Sequence, residues 1–393
     1  VSSHGAEEAL LWREGVLRET VIGTSPADPT LDMGVPFISS RAKRRDQVVA
    51  VDLGLRTTKA VHVQRHGDAF HLVNFAFVDS PIFEKNSPPD VLSDHLKNVI
   101  RMLGCKVKLV TLALGDGETV FRQVEVPLMP VSDLRRTLKF NAKAYLQQDF
   151  PDHVFDCHYV AGSSLPAKAA EAGKPAGPAG GVQKQKALVG GVRQETLDRV
   201  QAAFKTAGLV VDHVVPGTVG PVNSFEMAEP ESFRGEVIAL VELGFKSTAI
   251  TILDCGEIAL NRVVAIGGDR LTSGLAETLG ISYQEAENIK VGMASEVAQD
   301  LEPLIHPLGR ELRASIDFFE NHHDKAVGKV FLSGGSACSE LIIQSLQTEL
   351  MVPCQIWVPT KGLQMAFSSD RMGDLEQLAP KLTVAVGAAA ASF

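Results

Sequence analysis

The stretch Val48-Val49-Ala50-Val51-Asp52-Leu53-Gly54-Leu55-Arg56-Thr57-Thr58-Lys59 sets a plan that returns about 190 residues later as Val237-Ile238-Ala239-Leu240-Val241-Glu242-Leu243-Gly244-Phe245-Lys246-Ser247-Thr248. Each copy reads as a buried, β-branched strand that ends in a carboxylate, one apolar residue, a glycine and a polar turn. After the first copy, residues 59–64 alternate as a half-buried strand, Gly67-Asp68 suits a hairpin turn, and residues 70–78 form a third strand. A helix over 90–103 and a strand over 107–114 follow. After the second copy come a strand through Leu253, a turn at Cys255-Gly256 and a strand over 257–265. Duplicated halves of this kind predict a two-lobed α/β protein with its ligand site between the lobes. A Rossmann order would put a helix directly after the first glycine loop, where this chain has a hairpin. The Walker A spacing occurs nowhere in the chain.

The two turns hold the residue types that phosphate binding needs. Gly54 and Gly244 let backbone approach a ligand, and turn N–H groups can cradle phosphate oxygens. Thr57, Thr58 and Lys59 add donors to the first turn, as Lys246, Ser247 and Thr248 do to the second. Asp52 is placed to hold Mg²⁺ through water, and Asp52 and Glu242 are the candidate catalytic carboxylates. Alone, such a segment reads more readily as an ordinary hairpin turn with solvated polar tips; the recurrence makes two loops gripping a triphosphate from both sides an equal alternative.

Further along, Gly267-Gly268-Asp269 precedes a helix over 270–278, either as a glycine turn capped by Asp269 or as a helix N-terminus offered to an anion. Ser282-Tyr283-Gln284-Glu285 is a capping box, and Glu287 and Lys290 on the helix it opens share one face. They suit a ribose or adenine, or a solvent-exposed ion pair. Residues 330–333 form a strand that breaks into Gly334-Gly335-Ser336 before a helix over 339–348, a junction where backbone can lie flat against a ligand. His322-His323-Asp324 reads as a helix end in preference to a metal cluster.

Lys and Arg number 38 against 47 Asp and Glu, a net charge of −9, which argues against nucleic acid as a partner. Five widely spaced cysteines without a C-x-x-C fit buried thiols in a reducing cytosol. No apolar run is long enough to span a bilayer, so the expected location is cytoplasmic. Residues 132–148 read as a helix capped by Ser132, residues 156–160 as a strand, and residues 187–190, 195–207 and 209–215 as strand, helix and strand. Residues 161–186, rich in Ala, Gly, Pro and Lys, read as a mobile loop. Residues 1–46 lack the pattern of a packed domain. Either Met33 is the biological start, with residues 1–32 lying upstream of it, or the segment is an ordered arm.

In order, these motifs resemble the phosphate-1, phosphate-2 and adenosine motifs of the actin-like ATPase superfamily. Within it the chain is similar, from Gln47 onward, to the PilM family of type IV pilus assembly proteins, relatives of the division protein FtsA. The resemblance is carried by residues 138–145 (LKFNAKAY), 266–272 (IGGDRLT), 285–292 (EAENIKVG) and 382–389 (LTVAVGAA).

The resemblance implies a bilobed fold of duplicated ribonuclease-H-like domains with an FtsA-type extra subdomain. It divides the chain into an N-terminal extension (1–46), a first lobe (47–130), the extra subdomain (131–211), a return to the first lobe (212–235), the second lobe (236–380) and a C-terminal helix back on the first lobe (381–393). It implies ATP and Mg²⁺ in the cleft, and a groove near the extra subdomain for the cytoplasmic tail of a PilN-type inner-membrane protein. Membrane association is then indirect, and pilus motor proteins or further copies of the chain are additional candidate partners. The expected role is a nucleotide-dependent assembly scaffold with at most slow ATPase activity; the alternatives are a small-molecule kinase and an FtsA-like filament protein.

Three departures bear on this. Glu242 stands where the family usually has Asp, which moves the carboxylate by about 1.5 Å and can cost about 10²-fold in rate. Residues 161–186 are an insertion. Val215-Pro216-Gly217 stands where the family often carries an acidic residue.

Overall fold

The computed structural model describes residues 45–81, 88–160 and 184–393. Most of the N-terminal extension, Met33 included, and residues 161–183 of the expected loop lie outside the described residues; residues 184–186, expected in that loop, are instead strand, held by pairing with residues 125–127.

The repeated plan folds into two sheets of the same topology. In the first, β1 (Gln47–Leu53), β2 (Thr57–His66) and β3 (Ala69–Asp79) run antiparallel, β4 (Leu109–Leu114) joins β1 in parallel, and β8 (Val210–Pro216) joins β4 in parallel. In the second, β9 (Val237–Leu243), β10 (Thr248–Asp254) and β11 (Glu257–Val264) run antiparallel, β12 (Lys329–Gly334) joins β9 in parallel, and β13 (Cys354–Ile356) joins β12 in parallel. A short strand, β14 (Gln364–Met365), returns from the far end of the chain to pair with β3. β1 and β9 are central and covered on both faces, which is why both read as continuous apolar runs. The carboxylate-x-glycine turns fall at equivalent ends of the two sheets.

Helix α1 (Pro89–Leu103) covers one face of the first sheet with Leu92, Leu96, Val99 and Leu103, spaced three or four apart, and stops at Gly104, which takes the left-handed conformation at φ 65°. Between β4 and β8 the chain makes a separate three-stranded sheet: β5 (Thr119–Pro127), β6 (His153–Tyr159) and β7 (Lys184–Arg193), in the order β5-β7-β6. Helix α2 (Val131–Leu146) lays Leu134, Leu138, Ala142 and Leu146 on it. The start of α2 differs from the sequence expectation. The turn into the helix is at Pro130, whose extended ψ of 139° lets Val131 open the first turn, so Ser132 lies inside the helix and makes no cap hydrogen bond. Helix α3 (Gln194–Thr206) then leads into β8.

Two helices join the lobes. Helix α4 (Val219–Ala228) is buried nearly all round; Phe225 meets the Phe331 and Trp357 rings of the second lobe at 4.6 and 5.0 Å between centroids. A short helix, α5 (Pro230–Gly235), follows. The second lobe adds α6 (Gly268–Leu279), α7 (Tyr283–Gly292), the long α8 (Ala298–His323), which Asp324 ends in the left-handed conformation, and α9 (Glu340–Leu350), while α10 (Met372–Leu378) packs Leu375 into the core of the first lobe. The last helix, α11 (Thr383–Ala390), returns to lie against β1, β2, β4 and α4. It crosses α4 backbone to backbone: a Cβ on Gly387 would lie 1.8 Å from the Gly220 carbonyl oxygen. Among the described residues no helix is long and apolar enough to cross a membrane.

Candidate functional site

Hairpin register brings the first loop's charges together. Asp52 and Lys59 face each other across β1 and β2, and Lys59 Nζ donates to Asp52 Oδ2 at 3.0 Å. Burial works against the Lys59 charge, but Asp52, with help from Glu242, outweighs it and raises the pKa. Gly54 is required by space, since a Cβ there would lie 2.5 Å from the Thr57 carbonyl oxygen and 2.9 Å from Lys59 Nζ. The Thr58 hydroxyl turns away into the lobe, 3.0 Å from Ser80 Oγ and 2.8 Å from His95 Nε2. The Thr57 side chain remains partly exposed at the turn.

The second loop is stitched to α6. Gly268 and Asp269 donate their backbone N–H groups to the carbonyls of Gly244 and Phe245, at 3.0 and 2.9 Å. The start of α6 therefore docks the loop, and its first amides are already occupied. A Cβ on Gly267 would lie 2.4 Å from the Phe245 carbonyl oxygen, and one on Gly244 2.7 Å from that of Ser247. Lys246 Nζ donates to Asp269 Oδ2 at 2.6 Å, and the Tyr283 hydroxyl donates to the other oxygen of the same carboxylate at 3.0 Å. Thr248 is fully buried and donates to the Ile266 carbonyl at 2.7 Å.

Glu242 is held between elements. Its Oε2 accepts from the Ser333 hydroxyl on β12 and, at 2.7 Å, from the Thr383 hydroxyl that opens α11. Burial pushes its carboxyl up to about 7; the hydrogen bonds of Ser333 and Thr383 and the Lys59 charge oppose the rise, and Asp52 adds to it. Asp116, in the turn after β4, is pushed up to about 6 by burial and by the Asp52 charge. Asp52, Lys59, Asp116 and Glu242 thus share one electrostatic neighbourhood at the junction of the lobes.

On the far side of the second loop, Glu287 Oε2 accepts from Thr272 at 2.5 Å and from Lys290 at 2.8 Å. Lys290 also donates to Thr272 Oγ1 at 2.7 Å and to the Gly268 carbonyl at 3.2 Å. Only 4% of Lys290 is exposed, so the pair is not the solvated ion pair that spacing alone allows. Gly334 takes φ +94°, where a Cβ would lie 2.4 Å from the Leu243 carbonyl oxygen; a Cβ on Gly335 would meet nothing. Ser336 Oγ comes within 2.4 Å of where a Gly268 Cβ would stand. The glycine pairs 267–268 and 334–335 are thereby brought side by side, with Lys290 behind them.

The structure therefore gathers Asp52, Gly54, Lys59 and Glu242 at the lobe junction, and Gly268, Glu287, Lys290 and Ser336 beside it. It turns the Thr58 and Thr248 hydroxyls inward. Asp116, Thr272, Ser333 and Thr383 belong to the site and were not singled out from sequence. The nearest signal was that Ser333 adjoins Gly334 and that Thr383 lies in the segment 382–389. Among the described residues no cluster of three or more His, Cys, Asp or Glu side chains forms a ready metal cage.

Two sheets of matching topology, each with a glycine turn facing the lobe junction, define the actin-like ATPase fold, and comparison with solved structures agrees. The chain is similar to a chain of a PilM–PilN type IV pilus biogenesis complex at a TM-score of 0.73 and 21% identity, over 88% of this chain and 98% of that one. It is similar to the ethanolamine utilization protein EutJ from Carboxydothermus hydrogenoformans at a TM-score of 0.51 and 14% identity, over 89% and 91% of the two chains. Residues 176–393 match the type IV pilus assembly protein PilM family, and the chain belongs to that family.

Proposed function

We propose that the chain is an ATP-binding assembly scaffold of a type IV pilus-like envelope machine, cytoplasmic and held at the inner membrane through the tail of a PilN-type protein. The observation that carries the nucleotide part is the meeting of Asp52, Lys59 and Glu242 at the junction of two lobes whose turns are otherwise built of glycine and hydroxyl residues. The residues fit a nucleotide. The glycines at 54, 244 and 268 keep side chains out of close-packed turns, Lys59 and Lys246 are the loop cations that phosphates would share with their partners Asp52 and Asp269, and the Glu287 carboxylate, with Lys290 buried behind it, is the group offered to a ribose. Asp52 would hold a metal ion through water, the ion supplying charge neutralisation at the phosphates.

Hydrolysis is expected to be slow. The longer side chain of Glu242 is taken up by Ser333 and Thr383 and half-protonated near neutral pH, so it is a poor organiser of an attacking water. Partner binding is supported by family membership and by the solved PilM–PilN complex. The extra subdomain also offers an apolar contact in Phe140, 83% exposed on α2.

The test is calorimetric titration with Mg-ATP, followed by phosphate release from the same sample. Binding with turnover near background is the expected result. Brisk turnover would favour an enzyme, a kinase among the possibilities, and no binding would leave a passive adaptor.

A further inference from the structure

The first loop holds one cation that the fold does not use. Arg56 sits at the tip of the β1–β2 turn, partly buried, and among the described residues its guanidinium makes no hydrogen bond or ion pair. Three other cations around the cleft have carboxylate partners: Lys59 with Asp52 at 3.0 Å, Lys246 with Asp269 at 2.6 Å and Lys290 with Glu287 at 2.8 Å. The Arg56 side chain reaches across to the other lobe, its Cζ 5.9 Å from the centre of the Phe245 ring, while Lys246 Nζ lies 5.3 Å from the same centre. One aromatic ring of the second loop thus carries a cation from each lobe. The Arg56 charge is also felt at Glu287, whose carboxyl is held low against burial by hydrogen bonds from Lys290 and Thr272 and by the charges of Lys290 and Arg56.

An unpaired guanidinium propped on a ring beside two glycine turns presents a planar fork of donors in a fixed direction, which suits the oxygens of a phosphate. A loop that needed only closure of the lobes would be served by an apolar residue against Phe245, as its exposed neighbour Leu55 shows is tolerated at this tip.

We infer that Arg56 is a phosphate-reading residue: it spans the cleft from the first lobe, rests on Phe245 of the second, and donates to the terminal phosphate of a bound nucleoside triphosphate. The inference rests on the nucleotide reading of the cleft. It adds a function to that reading, because a guanidinium on the terminal phosphate distinguishes a triphosphate from a diphosphate and ties lobe closure to that difference.

Equilibrium binding of Mg-ATP and Mg-ADP to the full chain tests it, with the wild type compared with Arg56→Ala and Arg56→Lys. Arg56→Ala is expected to weaken Mg-ATP by about 10- to 100-fold and Mg-ADP by less than about 3-fold, the size of one lost charge-assisted contact. Arg56→Lys should recover part of the ATP affinity, since it restores the charge without the fork. Thermal unfolding without nucleotide should stay close to wild type in both variants, because no hydrogen bond of the fold is removed. Equal weakening of ATP and ADP would reduce Arg56 to a lobe clasp, and unchanged affinity for both would remove it from the site; either overturns the inference while leaving the nucleotide reading standing. A wild-type chain that binds neither nucleotide would overturn the cleft reading, and the Arg56 assignment with it.

Discussion

Glu242 carries its carboxyl one carbon further from the backbone than an aspartate would, and Ser333 and Thr383 take up one of its oxygens. With its pKa pushed up to about 7 from 4.5, the folded protein binds a proton that the unfolded chain releases earlier. Its contribution to stability is therefore full below about pH 4.5 and is lost as pH rises through about 7, an effect of up to about 3 kcal/mol. Asp116, pushed up to about 6, acts in the same sense. Glu242→Gln cannot titrate, so its stability relative to wild type should rise between pH 5 and pH 8. Denaturant unfolding at the two pH values measures this, and an unchanged difference would show that Glu242 ionises normally in the folded chain.

At the scale of elements, the crossing of α4 and α11 is the tightest joint. Gly220 and Gly387 meet without side chains, and a Cβ on Gly220 would lie 2.6 Å from the Val384 Cα. Both contacts are with backbone, which cannot swing aside as a side chain can. Gly387→Ala should therefore cost about 1–3 kcal/mol or more, seen as a lower denaturant midpoint; a midpoint equal to wild type would mean the helices separate freely. Helix α8 teaches a different lesson. Its prolines at 303 and 307 each remove a backbone donor, yet the helix continues. Leu301, Ile305, Leu308, Leu312, Ile316 and Phe319 form one buried stripe, and that burial outweighs the missing bonds. The cap on α7 needed no such help, because Ser282 and Glu285 satisfy each other's backbone within four residues.

For the molecule as a whole, the lobes are joined by α4 and α5 and by the Glu242–Thr383 hydrogen bond at the start of α11, so anything that binds between the loops acts on the same joint. If Mg-ATP favours the closed arrangement and a PilN-type tail reads that arrangement, each must alter the other's affinity by the same factor. A coupling of about 5- to 150-fold is the usual range for such linkage. Titrating a synthetic tail peptide with and without saturating Mg-ATP measures it. Equal affinities would remove the coupling and leave the proposed scaffold role standing.

The two carboxylate-glycine turns, their flanking strands and the capping box were legible from residue order, because strand alternation, helix period and turn chemistry act over a few neighbouring residues. The match of the two halves made a bilobed fold legible as well. What the order of residues did not disclose are contacts between distant segments: Ser333 and Thr383 on Glu242 lie 91 and 141 positions from it. The strand β5 between Thr119 and Pro127 was likewise unread, since its pairing partner, β7, is more than fifty residues away. Local chemistry thus decided which turns and strands exist, whereas only folding decided which carboxylate is buried, which lysine is neutralised and which arginine is left unpaired, because burial and charge pairing are properties of three-dimensional neighbours.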